Sequence, residues 1–141
     1  MGVETDYVMA NEAMYEQVWE SNNPSSDFNG IYGKGSDPIS LSALYGCVSG
    51  TSVDMGIVDE YQTIQVTNDG EKSIIKVPDR IKDALATIND SNVDKYFSEW
   101  ASTEDFMITG WDKDIATDFM TSLSCYIREN PRKDLLMCCC V

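Results

Sequence analysis

The sequence predicts an α+β fold: about five helices packed on a small mixed sheet, with the N-terminal and C-terminal strands inside that sheet. Three observations predict it. Apolar residues recur at helical spacing from Leu41 to Val48, from Ile81 to Ile88, from Val93 to Trp100 and from Ile115 to Ile127. Two runs, 61–67 and 73–77, alternate or nearly so around Asn68-Asp69-Gly70-Glu71, a hairpin signal. The chain closes on Leu135-Leu136-Met137-Cys138-Cys139-Cys140-Val141. As a strand this run is apolar on both faces, so it requires cover on both sides and belongs inside a sheet.

The elements follow in order. Residues 5–10 make a first strand. Asn11 is placed to cap a short helix with Met14, Tyr15, Val18 and Trp19 inward. Residues 21–35 form a polar loop holding Phe28, Ile31 and Tyr32, expected to be mobile or to lie over the surface. Asp37-Pro38 is a helix start, with Asp as cap and Pro in the first turn. Leu41, Leu44, Tyr45 and Val48 follow, and Gly50 ends that helix. Residues 51–60 are open between loop and short strand. After the hairpin, Pro78 and Asp79 open a helix. Asn89-Asp90-Ser91 breaks it and caps the next. Residues 102–110 connect, with Phe106, Met107 and Ile108 as core contacts. In the last helix Ile115, Phe119, Leu123, Tyr126 and Ile127 face inward, with Asp112 or Gly110 capping its start. Pro131 stops it. First and last strands are expected to pair. Because the final strand is read as the most buried, no C-terminal truncation is expected to be tolerated.

Length and composition narrow the function. The 141 residues fit one domain, 1–141, and 43% hydrophobic content is enough for a core. No repeat, low-complexity tract or dividing linker is present. The formal net charge is −14. That opposes nucleic-acid binding, which needs clustered Lys and Arg, and attraction to anionic membranes. It favours fast association with a basic protein partner. There is no histidine, which removes the usual general base, metal ligand and nucleophile activator. No apolar run approaches the roughly 20 residues that span a bilayer. The first residues match neither a secretory signal nor the myristoylation pattern, because Asp6 stands where Ser or Thr is required. Five cysteines, three of them consecutive, read as free and mostly buried thiols in a reducing cytoplasm.

Several stretches carry a family resemblance. Met1-Gly2 leads into a strand, the Asp37-Pro38 helix runs through Leu41 and Leu44 to Gly50, Ile108-Thr109-Gly110-Trp111-Asp112 opens a helix, and a long helix runs into an apolar terminal strand. In these the chain resembles small bacterial proteins of the YfbM-like family. Thr5-Asp6-Tyr7-Val8, Trp100-Ala101-Ser102-Thr103-Glu104-Asp105 and the Cys-rich last strand resemble short acidic actinobacterial proteins. The resemblance implies the α+β fold and supplies no catalytic residues. Size and acidity are also those of many immunity proteins, an association by type.

Each candidate site has a plain structural reading beside it. Cys138-Cys139-Cys140 reads first as a buried strand. A soft-metal site would need further ligands, with only Cys47 and Cys125 remaining. A prenylation box at Cys138 lacks the two aliphatic residues it requires. The carboxylates Asp54, Asp59, Glu60, Asp112, Asp114 and Asp118 match no EF-hand pattern and read as solvated surface. Gly30-Ile31-Tyr32-Gly33-Lys34-Gly35 lacks the Walker spacing and reads as a flexible loop. The segment 100–111 combines Trp100, Trp111 and Phe106 with acids. On the surface it would be an aromatic patch in an acidic rim; otherwise the Trp side chains are core.

The reading is therefore a cytoplasmic, non-enzymatic acidic binding protein, an immunity-type inhibitor that occludes a basic toxin or enzyme electrostatically. Its expected contact residues are Glu99, Glu104, Asp105, Asp112 and Asp114, with residues 21–35 as a second surface. No metal and no cofactor are expected. The chain is expected to be a monomer or a homodimer. The alternatives are a small-ligand-binding protein or enzyme working through carboxylates or a Cys thiol, and a plain oligomerising module.

Overall fold

The computed structural model describes residues 4–107 and 109–141, the Met55 side chain excepted. Strand β1 (Glu4–Ala10) lies beside the last strand, β5 (Asp134–Cys140), antiparallel, from Glu4 opposite Cys140 to Ala10 opposite Asp134. The other strands are β2 (Ile31–Tyr32), β3 (Gln62–Val66) and β4 (Lys72–Lys76), in the order β2-β1-β5-β4-β3. First and last strands pair in the interior of the sheet, as their apolar composition requires. The sheet is antiparallel at every pairing rather than mixed. A parallel neighbour needs a crossover that carries the chain to the other end. Here the helices between β4 and β5 return it to the end it left, where Lys76 lies opposite Leu136 and the Val77 amide donates to the Leu135 carbonyl at 2.9 Å.

Alternation sends the apolar residues of β5 to two different cores. Tyr7, Met9, Leu135 and Met137 join the large core under the main helices. Val8, Ala10, Ile74, Leu136 and Cys138 form a second core with Val18, packed by Met14, Trp19 and Phe28. Cover on both faces therefore holds from Leu135 to Cys138. It fails beyond, where Cys140 is exposed and Val141 is 72% exposed. The physical reason is the neighbours: Cys140 lies between Glu4 and Lys72, which supply no apolar cover, and α1 (Tyr15–Glu20) places Val18 in the second core.

Among the described residues α1 follows a 3-10 turn, Glu12–Met14. Asn11 stands extended at its head, but its side chain makes no cap bond. The stretch 21–35 is more than a loop. It contains α2 (Pro24–Asp27) and edge strand β2. Its glycines are explained by close packing. A Cβ on Gly30 would collide with the Tyr7 carbonyl oxygen, and one on Gly33 would come 2.6 Å from the Tyr7 ring and 2.9 Å from the Phe119 ring.

Helix α3 (Pro38–Ser49) opens on a capping box. The Asp37 carboxylate accepts the Ser40 amide, and the Ser40 hydroxyl accepts the Asp37 amide. Gly50 closes the helix at φ +71°, a left-handed position suited to glycine. Residues 51–60 are neither plain loop nor strand: Met55–Glu60 is a 3-10 helix, capped by Asp54. The β3–β4 hairpin carries a bulge between Thr63 and Gln65.

Helix α4 (Asp79–Leu85) begins after Pro78 and buries Ile81 and Leu85. Helix α5 (Val93–Ala101) buries Val93 and Trp100. The connector holds one helical turn, α6 (Glu104–Met107). Phe106 is buried there, but Met107, expected in the core, is 66% exposed; Ile108 lies outside the described residues. Helix α7 (Lys113–Glu129) buries Ala116, Phe119, Met120, Leu123, Tyr126 and Ile127. Ile115 was expected with them and is 52% exposed. The buried stripe is centred on Ala116, Met120 and Leu123, which leaves Ile115 at its margin.

Candidate functional site

A surface cavity of about 710 Å³ lies where edge strand β2 meets the N-terminal half of α7. Antiparallel pairing to β1 fixes one wall, bringing Ile31 opposite Tyr7 and Tyr32 opposite Asp6. That wall presents Gly30, Ile31, Tyr32 and Lys34; Tyr32 is half exposed. The other wall is helical, and the i, i+4 spacing of Asp114 and Asp118 places both carboxylates on the groove side with Ile115 between them. Phe119 forms the floor. Its ring centroid is 4.8 Å from that of Trp111 and 5.3 Å from that of Tyr7. Trp111 is half-buried and lines the groove, with its other edge toward Trp100 at 6.2 Å.

Among the described residues the charges around this groove are not neutralised by ion pairs. Among the described residues the ion pairs are Lys76–Asp134, Arg80–Glu60, Lys82–Asp79 and Lys113–Asp94. Asp114, Asp118 and Lys34 belong to none of them. An apolar aromatic floor beside two carboxylates can hold an apolar body bearing a cation.

Of the five expected contact residues, Asp114 alone lines the groove. Asp112, just before α7, is exposed, and its carboxylate accepts the Ile115 amide at 2.9 Å, so it is the helix cap. Glu99 is exposed on α5 and near enough to α3 to act on the Cys47 thiol. Glu104 is exposed and Asp105 half-buried on α6. Trp100 is core: it is fully buried and its indole donates to the Ser40 carbonyl at 3.0 Å. Sequence reasoning missed the pairing of Asp114 and Asp118 with Tyr32 and Lys34. The available signals were an Asp-x-x-x-Asp repeat flanking an apolar residue, and an apolar Ile-Tyr pair between glycines.

The thiols are free but not mostly buried. Only Cys138 is buried; Cys47 and Cys139 are intermediate, and Cys125 and Cys140 are exposed. Burial pushes the Cys47 and Cys139 thiols up, and pushes Cys138 up to about 12. Glu129, accepting a hydrogen bond from Cys125, raises that thiol. These shifts run opposite to those of an activated nucleophile. Among the described residues no three Cys, Asp or Glu side chains gather as a metal site, and no helix is long and apolar enough to cross a membrane.

No protein-family model, no curated protein and no solved structure matches the chain.

Proposed function

We propose that this chain is a non-enzymatic acidic binding protein, an immunity-type inhibitor that neutralises a basic toxin or enzyme by electrostatic occlusion. The observation that carries the reading is the charge imbalance along residues 99–118. That stretch holds Glu99, Glu104, Asp105, Asp112, Asp114 and Asp118 against one cation, Lys113. Lys113 is itself directed at Asp94, 3.8 Å away. A surface of one sign steers an oppositely charged partner and raises its association rate. The groove beside it supplies what steering cannot: an aromatic surface that holds the partner after encounter.

The test is a pull-down from the source organism at low salt, eluted by a salt gradient. One stoichiometric basic partner released by salt is the expected result. No partner from growing or from stressed cells would overturn the reading. With the partner in hand, Glu104→Lys with Asp105→Lys should slow association at least about tenfold at low salt and far less at high salt. An unchanged rate at low salt removes those two residues from the contact.

A second reading is favoured by the groove itself. Its volume is that of a small-ligand pocket, and Asp114 and Asp118, in no ion pair among the described residues, suit an organic cation with an apolar body. Binding of such a cation by the isolated chain, lost in Asp114→Asn with Asp118→Asn, would favour it over the protein partner.

A further inference from the structure

The Cys138-Cys139-Cys140 triplet plays no part in the function above, and the structure divides it. Alternation along β5 sends Cys139 to the face of Met137 and Leu135, where its sulfur receives the Thr5 hydroxyl at 3.8 Å. Cys138 and Cys140 share the opposite face. All three cysteines line a second cavity, of about 430 Å³, between that face and the start of α2, and alternation leaves Cys138 and Cys140 as the two on this face. Cys138 is 8% exposed, on the cavity floor, and Cys140 is exposed at its mouth.

We propose that Cys138 and Cys140 together form a two-coordinate binding site for a soft monovalent metal ion, Cu(I). Counting ligands from the sequence discounts such a site, because tetrahedral zinc demands four. Thiolates select Cu(I), and a linear site needs only two of them. The spacing permits it. Strand residues i and i+2 are about 6.6 Å apart, and a linear thiolate–metal–thiolate unit spans about 4.6 Å with bonds of about 2.3 Å. Rotation of the two side chains toward each other closes that difference.

The neighbours include one cation for the anionic product and two acids that oppose it. On one side β1 places Asp6 opposite Cys138 and Glu4 opposite Cys140; on the other side β4 places Ile74 and Lys72. All four line the same cavity. The acids repel two free thiolates, and one bound Cu(I) lowers the charge of the pair from two negative to one. Binding replaces both thiol protons: Cu(I) and two thiols give a bis-thiolate monoanion and two protons, with no change of oxidation state. Lys72, fixed over the Trp19 ring and donating to the Trp19 carbonyl at 2.6 Å, supplies the countercharge to that monoanion.

The experiment is an anaerobic titration of the reduced full chain with Cu(I), in competition with a chromophoric Cu(I) chelator. One equivalent should bind, with thiolate-to-copper charge-transfer absorption. Cys140→Ser, at an exposed position, should lower the affinity at least a hundredfold while circular dichroism shows the fold intact. Cys138→Ala should do the same. Cys139→Ser and Cys125→Ser should bind as the parent does. Two results would overturn the proposal: undiminished binding by Cys140→Ser, or an equal loss in Cys139→Ser, which would show an unspecific thiol cluster.

Discussion

The indole N–H of Trp100 donates to the Ser40 carbonyl at 3.0 Å, across sixty residues and entirely within the core. This bond ties the end of α5 to the first turn of α3, and Ser40 also completes the capping box that starts α3. Trp100 further packs against Phe106, with centroids 4.8 Å apart. Trp100→Ala should therefore cost about 3–5 kcal/mol, the range for a fully buried large aromatic. Trp100→Phe keeps much of the packing and should cost about 1–3 kcal/mol through the lost hydrogen bond. Urea denaturation of both variants measures the difference.

Gly30 sits where β2 passes the Tyr7 backbone. Gly30→Ala forces a methyl against the Tyr7 carbonyl, an overpacking that should cost about 1–3 kcal/mol. It should also displace Ile31 and Tyr32, one wall of the groove. Amide exchange at β2 should speed up in this variant while exchange at the β1–β5 pair stays slow.

The two sides of α7 should respond unequally. Ile115→Ser removes an exposed side chain and should shift stability by under about 0.5 kcal/mol. Leu123→Ala empties a site that is 1% exposed and should cost about 2–5 kcal/mol. Thermal denaturation of the pair distinguishes the observed stripe from one centred on Ile115.

Alkaline pH should destabilise the fold. Burial raises the Tyr7, Tyr61 and Cys138 groups, Cys138 from 9.0 to about 12. A folded-state value above the unfolded one means that the unfolded chain gives up its proton first. The Cys138 contribution is complete below about pH 9 and lost as pH rises toward 12. Its share of the slope approaches about 1.4 kcal/mol per pH unit. The tyrosines add theirs above about pH 10. Denaturation midpoints measured between pH 7 and 11 should fall steadily above 9, and less steeply in Cys138→Ala.

Much of the architecture was legible because it depends on local periodicity. Leu41 and Leu44, Val93 and Trp100, and Phe119 and Leu123 are buried where helical spacing placed them. Asp37, Gly50 and Asp112 cap as their side chains dictate. The errors fell where a local pattern had more than one solution. Ile115 and Met107 are apolar and lie beside buried neighbours in sequence, yet both are exposed. Cys140 and Val141 continue an apolar strand to where its neighbours, Glu4 and Lys72, supply no apolar cover.

The groove was hardly legible. Lys34 and Asp118 are eighty-four positions apart in sequence, and only the pairing of β2 with β1 brings β2 alongside α7. Sequence alone determined the longer helices, the caps at Asp37, Gly50 and Asp112, the central place of the last strand and the acidic surface. These follow from side-chain period, capping chemistry and charge, each readable within a few residues. Tertiary structure decided the antiparallel sheet, the exposure of Cys140, and the meeting of Tyr32, Trp111 and Asp114 around one cavity. Those depend on where the chain returns after long excursions, which is settled by burial summed over the whole molecule.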